Sequence, residues 1–155
     1  MAIPILMKTA AAVTATALLG AVGADPHSDW YKRLDKPSWQ PPPQAFGAVW
    51  TPLYVLIALG GARVLTRTSG AGRRTFARAY AANLALNGAW TPLFFGAKAP
   101  RAALADVVLL NVSNADLLRR AWRVDRAATT CLLPYALWTG FATALNTAIV
   151  RRNRR

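Results

Sequence analysis

Long apolar stretches separated by short basic joints run the length of this 155-residue chain, and no other feature limits its fold as much. A helix needs about 20 apolar residues, at a rise of about 1.5 Å each, to cross hydrocarbon. Five stretches suit that role: residues 3–24, 44–66, 75–96, 101–118 and 127–150. Lys8 interrupts the first, close enough to one end to snorkel. The fourth is the most polar, with Asp106, Asn111, Asn114 and Asp116. The joints Arg67–Arg74 and Arg119–Arg126 are short, basic and turn-like. Short connections imply antiparallel neighbours. The expected fold is therefore all-α: an integral membrane bundle of five transmembrane helices with up-and-down topology, one domain over residues 1–155. Residues 25–43 are left as a loop across one end.

A rival reading makes the first stretch a secretory signal peptide, with Val22 and Ala24 at the −3 and −1 cleavage positions. Against it, Lys8 sits late, behind an apolar Ile3-Pro4-Ile5-Leu6 start.

The formal charge is +13, yet the arginines fall where helices leave the bilayer rather than along a soluble module. That argues for lipid phosphates and against nucleic acid. Alternation puts ten cations on one side and nine on the other, so the positive-inside rule leaves orientation open. Cys131 is the only cysteine, His27 the only histidine, and all six acidic residues are Asp. This inventory provides no disulfide framework, no His-carboxylate metal cluster and no haem ligand pair. No metal or cofactor is expected.

The stretch Trp30–Tyr54 departs most from an ordinary connection. Trp30-Tyr31 and Trp39 flank Pro37 and the run Pro41-Pro42-Pro43, before a helix carrying Trp50 and Tyr54. Three prolines favour a stiff polyproline II segment, which suits a lid over a pocket between helices. Trp-Thr-Pro-Leu occurs at 50–53 and again at 90–93, followed by Tyr54 and Phe94, and Pro134-Tyr135 precedes Trp138. Proline within a span frees a carbonyl, which is tolerated beside a cavity or a partner. Single tryptophans such as Trp30, Trp90 and Trp122 fit an interfacial belt. Trp138 lies too deep for one and, with Trp50, points to the pocket.

Asn83 and Asn87 share one face of the third helix, and a buried amide in hydrocarbon needs a partner. Either a ligand or an interhelical bond to Asn111, Asn114 or Asn146 meets that need. Asp106 is equally a site residue or an ionic partner of Arg101 or a tail arginine. Ala77, Ala81 and Ala85 form a small-residue line that suits a homodimer seam.

On these residues the chain resembles the TspO/MBR family, the tryptophan-rich sensory proteins related to the translocator protein, or peripheral-type benzodiazepine receptor. The resemblance rests on Trp30-Tyr31, Lys36-Pro37-Ser38-Trp39-x-Pro41-Pro42, Val49-Trp50-x-x-Leu53-Tyr54, and Leu84-Ala85-Leu86-Asn87-x-x-Trp90-x-Pro92-Leu93-Phe94. Asp106 and Pro134-Tyr135-x-x-Trp138-x-x-Phe141-x-Thr143-x-Leu145-Asn146 extend it over nearly the whole chain. It implies a retained first helix, a cavity under the first long loop, and binding of porphyrins such as protoporphyrin IX. By position, Trp39, Trp50, Asn87 and Trp138 line that cavity, with Tyr54, Asn83, Trp90, Phe94 and Ala142 nearby. It also implies frequent dimers and, in some bacterial members, light-dependent porphyrin breakdown involving the positions of Trp50 and Trp138. Two departures stand out. Asn83 replaces the Gln of some relatives, and Thr147 occupies the Tyr position of the sterol-recognition pattern, which puts sterol binding in doubt.

The chemistry suits a tetrapyrrole. Tryptophan faces stack on a flat ring, and Lys32, Arg33 and Lys36 stand near the lid for its carboxylates. No acid–base or nucleophile–His pair is present, so no catalytic residue is assigned apart from Trp50 and Trp138 under a photo-oxidative reading. Three functions are carried forward: a tetrapyrrole sensor, scavenger or carrier; a light-dependent porphyrin-degrading activity at the same site; and a small proton-coupled exporter using Asp106 or Asp116. The expected location is a bacterial plasma membrane.

Overall fold

The computed structural model describes residues 2–154, so Arg155, the last tail cation, lies outside it. Five long helices and one short one occur among the described residues: α1 (Ile3–Gly23), α2 (Asp29–Arg33), α3 (Pro43–Arg67), α4 (Gly70–Thr91), α5 (Pro100–Val124) and α6 (Arg126–Arg152). A single π-helical turn, Pro92–Gly96, follows α4. Around the bundle the order is α1, α3, α6, α5, α4, and α1 closes the ring by touching both α3 and α4.

The helix starts follow local chemistry. Pro43 and Pro100 occupy the first turns of α3 and α5, where a missing N–H costs nothing. Ser28 caps α2 by accepting from the Tyr31 N–H. Pro92 cannot donate to the α4 ladder, and the register slips so that the Ala97 N–H reaches the Pro92 carbonyl at 2.8 Å. Pro42, at φ −64° and ψ 154°, has the polyproline II geometry expected of the lid.

Both basic joints are shorter than the sequence suggests. Only Thr68 and Ser69 separate α3 from α4, and Gly70 takes a left-handed φ of 53° that favours glycine. The fourth helix runs on to Val124 instead of ending at Leu118. Arginine, alanine and leucine are good helix formers, and nothing stops the helix before Asp125. The loop at 25–43 is not wholly irregular either, since α2 lies within it.

Helices α1 and α3 are long and apolar enough to cross a membrane on composition alone. The others carry Asn, Thr and Ser on inward faces, while Val108, Leu109, Val112, Leu133 and Leu137 point outward and exposed. Such a surface suits hydrocarbon rather than water. Inside, Gly60 and Gly61 let two helices close on α3. A Cβ on Gly61 would stand 2.5 Å from the Tyr80 ring of α4, and one on Gly60 2.9 Å from Leu132 of α6. The Tyr80 hydroxyl donates to the Ile57 carbonyl at 2.9 Å, which fixes the ring over that gap.

The loop is tied to the far end of the chain. Asp35 N–H donates to Asn153 Oδ1 at 3.0 Å, and Asn153 Nδ2 returns a bond to the Asp35 carbonyl at 2.9 Å. At the opposite end, Asp125 joins three helices. Its carboxylate caps α6 at the Ala127 N–H, accepts from Arg63 Nε at 2.7 Å, and lies 3.2 Å from Arg67 Nη1.

The Arg63 hydrogen bond is the main reason the Asp125 carboxyl sits below the usual carboxylate range. An Asp carboxyl in the unfolded chain titrates at about 3.9. The stabilisation is therefore complete above that pH and is lost as the pH falls through the lower folded value. Asp125→Asn keeps a capping oxygen but loses the ion pair, whereas Asp125→Ala loses both. Thermal unfolding in detergent at neutral pH should rank wild type above Asn above Ala, with the cap accounting for about 1 kcal/mol. The gap between wild type and Asn should shrink once the pH drops below about 3.9.

Candidate functional site

The predicted residues gather in three linked groups at the lid end of the bundle. In the first, Trp39 of the loop, 49% exposed, meets Phe141 edge-on at 5.8 Å. Phe141 lies 5.2 Å from Trp138 on its own helix, and Trp138 meets Phe46 of α3 at 6.0 Å. Trp39 and Trp138 therefore share one phenyl ring between them. Ala142, one turn beyond Trp138, is half-buried against the same core.

In the second group, Trp50 stacks on Tyr54 at 5.1 Å and faces Tyr135 edge-on at 6.1 Å. Tyr135 is one turn before Trp138 on α6 and 1% exposed. Its hydroxyl accepts from Asn87 Nδ2 at 2.8 Å and donates to Asn83 Oδ1 at 3.0 Å. Asn83 Nδ2 donates onward to Ser113 Oγ at 2.9 Å and Asn114 Oδ1 at 2.8 Å, and Asn114 Nδ2 donates to Thr139 Oγ1 at 2.9 Å. The two amides thus differ in role. Asn83 is spent on protein, through both donors and its oxygen. Asn87 keeps its carbonyl oxygen and one N–H without a protein partner among the described residues.

The third group holds Trp90 and Phe94, which stack at 4.8 Å with planes 16° apart. Trp30 and Tyr31 of the loop close on Phe94 at 5.6 and 6.3 Å. Trp90 Nε1 donates to Asn146 Oδ1 at 3.0 Å, and Asn146 Nδ2 donates to the Pro100 carbonyl at 2.9 Å. This group seats the lid, and Phe46 and Phe141 of the first group pack against the same buried cluster of Phe94, Leu145 and Ile149.

Phe46, Tyr135 and Phe141 were not among the site residues expected from the sequence. Residues 135, 138 and 141 recur every three positions and so fall close together on one face of α6, which was the available signal.

Several polar expectations change. Lys36 does not project into the site. Its ammonium donates to the carbonyls of Tyr31 at 2.6 Å and Leu34 at 3.1 Å and sits over the Tyr31 ring at 4.5 Å, so it braces the loop. Lys32 and Arg33 stay exposed. Burial raises the Tyr31 phenol above its ordinary range, against the opposing pull of the N–H that Gln40 donates to it at 2.7 Å. Among the described residues Asp106 pairs with neither Arg101 nor a tail arginine: it lies five positions from Arg101, which turns the two to different faces of α5. Its carboxylate is buried, and Oδ2 has no partner among the described residues.

A groove of about 300 Å³ runs between α1 and α4, walled by Ala12, Ala15, Thr16, Ala81, Ala85 and Gly88. Ala81 and Ala85 of the small-residue line thus border an open surface, while Ala77 does not line it.

Residues 9–152 match the TspO/MBR family. The tryptophan-rich sensory protein of Cereibacter sphaeroides is 38% identical over 125 residues, spanning 81% of this chain and 77% of the relative. The human translocator protein is 36% identical over 126 residues, 80% and 75% of the two chains. Protein CrtK of Rhodobacter capsulatus is 35% identical over 142 residues, 90% and 88%.

The amide network makes a direct prediction. Asn83→Ala strands Tyr135, Asn114 and Ser113 together and should lower stability by about 1–3 kcal/mol in detergent unfolding. Asn87→Ala, which leaves one buried hydroxyl with another bond still made, should cost clearly less.

Proposed function

The chain belongs to the TspO/MBR family of membrane proteins, and from that premise we propose that it binds porphyrins of the protoporphyrin IX class beneath its lid, as a sensor, scavenger or carrier. The observation that carries this reading is the meeting of Trp39 and Trp138 at Phe141, with the Asn87 amide, whose oxygen has no partner among the described residues, on the Trp50–Tyr135 side. A broad flat guest takes the place that Phe141 now fills and stacks on the indoles of Trp39 and Trp138. Each stacking face contributes about 1–3 kcal/mol. Lys32 and Arg33, exposed on the loop, meet the propionates at the rim. The five long helices cross the bilayer with alternating direction, and a bacterial plasma membrane is the location this reading favours.

A second reading shares the site. Trp50 lies against Tyr54 and Tyr135, so three oxidisable rings stand in contact beside the proposed guest. Here the light-excited porphyrin would take one electron from an adjacent ring, which gives up its proton, and dioxygen would add to the reduced macrocycle as it opens. The porphyrin would carry the difficult chemistry and the protein would orient it.

Homodimers fit the groove between α1 and α4, where Ala81 and Ala85 allow close backbone approach. Ala81→Leu should raise the monomer fraction in detergent sizing; an unchanged dimer population would move the seam elsewhere.

Quenching of tryptophan fluorescence by protoporphyrin IX tests the primary reading. Trp138→Ala and Trp50→Ala should each weaken binding by roughly fivefold or more, while Trp122→Ala, far from the lid, leaves it unchanged. Wild-type affinity in both site variants would remove the assignment. Illumination of the same complexes in air separates the second reading. Faster loss of the Soret band than in free porphyrin, slowed by Trp50→Phe, supports turnover; equal rates limit the protein to binding.

A further inference from the structure

We propose that the end of the bundle opposite the lid holds the phosphate headgroup of an anionic phospholipid, in a groove formed by α3, α4 and α5. The groove measures about 200 Å³. Its floor is apolar, from Val64 of α3 and Phe76 of α4, and its rim carries Arg119, Arg120 and Arg123 of α5. Gly72 opens one wall, where an added Cβ meets nothing within 4 Å. A hydrophobic base beneath a guanidinium rim matches a lipid, whose headgroup is charged and whose glycerol and acyl portions are not.

The charges at the rim are unevenly spent. Arg119 and Arg120 share one carboxylate, Asp116, at 2.7 and 2.6 Å. Arg123 makes no ion pair or side-chain hydrogen bond among the described residues. Arg73 does not line the groove; its Nε donates to the carbonyl of Thr68, a lining residue, at 2.7 Å. The carboxylate nearer the α3 end, Asp125, is already taken by Arg63 and Arg67. A surplus of positive charge therefore faces the groove, and a phosphate oxygen bridging Arg123 and its neighbours would complete it.

Depth points to a membrane lipid rather than a dissolved anion. Trp122, 55% exposed, carries Arg126 over its ring at 4.6 Å, next to Arg123 in sequence. Exposed indoles of this kind settle at the headgroup level of a bilayer. The rim arginines flank that ring, so they stand where lipid phosphates are.

Native mass spectrometry of the full chain, released from detergent micelles doped with phosphatidylglycerol or phosphatidylcholine, tests the proposal. One phosphatidylglycerol should persist per chain in preference to phosphatidylcholine. Arg123→Gln should lower its retention about fivefold, and Gly72→Leu, whose Cβ meets nothing within 4 Å, should lower it at least as much. Arg101→Gln, an exposed cation at the lid end, should change nothing, and soluble glycerol phosphate should not displace the lipid. Wild-type retention in both Arg123→Gln and Gly72→Leu would overturn the proposal. So would an equal loss in Arg101→Gln, which means diffuse charge, or displacement by glycerol phosphate, which means a free-anion site.

Discussion

A polar group placed in hydrocarbon must find its partner within the protein, because no water is there to stand in. Three of the five long helices are organised by that demand. Asn83 of α4 sits at its centre, giving both N–H groups to α5 and receiving the Tyr135 hydroxyl from α6. Asn114 continues the chain to Thr139, and Asn111 reaches Thr143 at 2.6 Å. Apolar packing alone allows helices to rotate against one another with little penalty in lipid. Directional bonds at several depths remove that freedom and fix which face of α6 looks inward.

The aromatic site inherits this register. With Tyr135 locked between Asn83 and Asn87, Trp138 is carried one turn further along the same face and presented to the loop. The polar layer thus sets the angle, and the indoles above it provide area. The same partition explains why only α1 and α3 read as plainly membrane-spanning: the other three spend part of their apolar quota on the network.

Much of this is legible in the residues themselves. The five long stretches, their rough limits and the family pattern follow from apolar run length and from tryptophan and proline spacing. Asn114 is among the three asparagines that the sequence offers as a partner for Asn83, whereas Asn146 bonds to Trp90 instead. Periodicity does not reveal that a tyrosine hydroxyl joins two amides, since that depends on how far helices stand apart. The true end of α5 is hidden for a local reason. A run of arginines looks like a joint, yet arginine favours helix, and the break waits for Asp125, whose carboxylate caps α6. Lys36 misleads in a similar way. A loop cation suggests a ligand contact, but the loop's own carbonyls at Tyr31 and Leu34 claim it first.

The reciprocal amide clasp between Asp35 and Asn153 has a mechanical meaning. It fastens the loop that follows α2 to the last turn of α6, the helix that also carries Trp138, so a load on one end of that helix is shared with the loop.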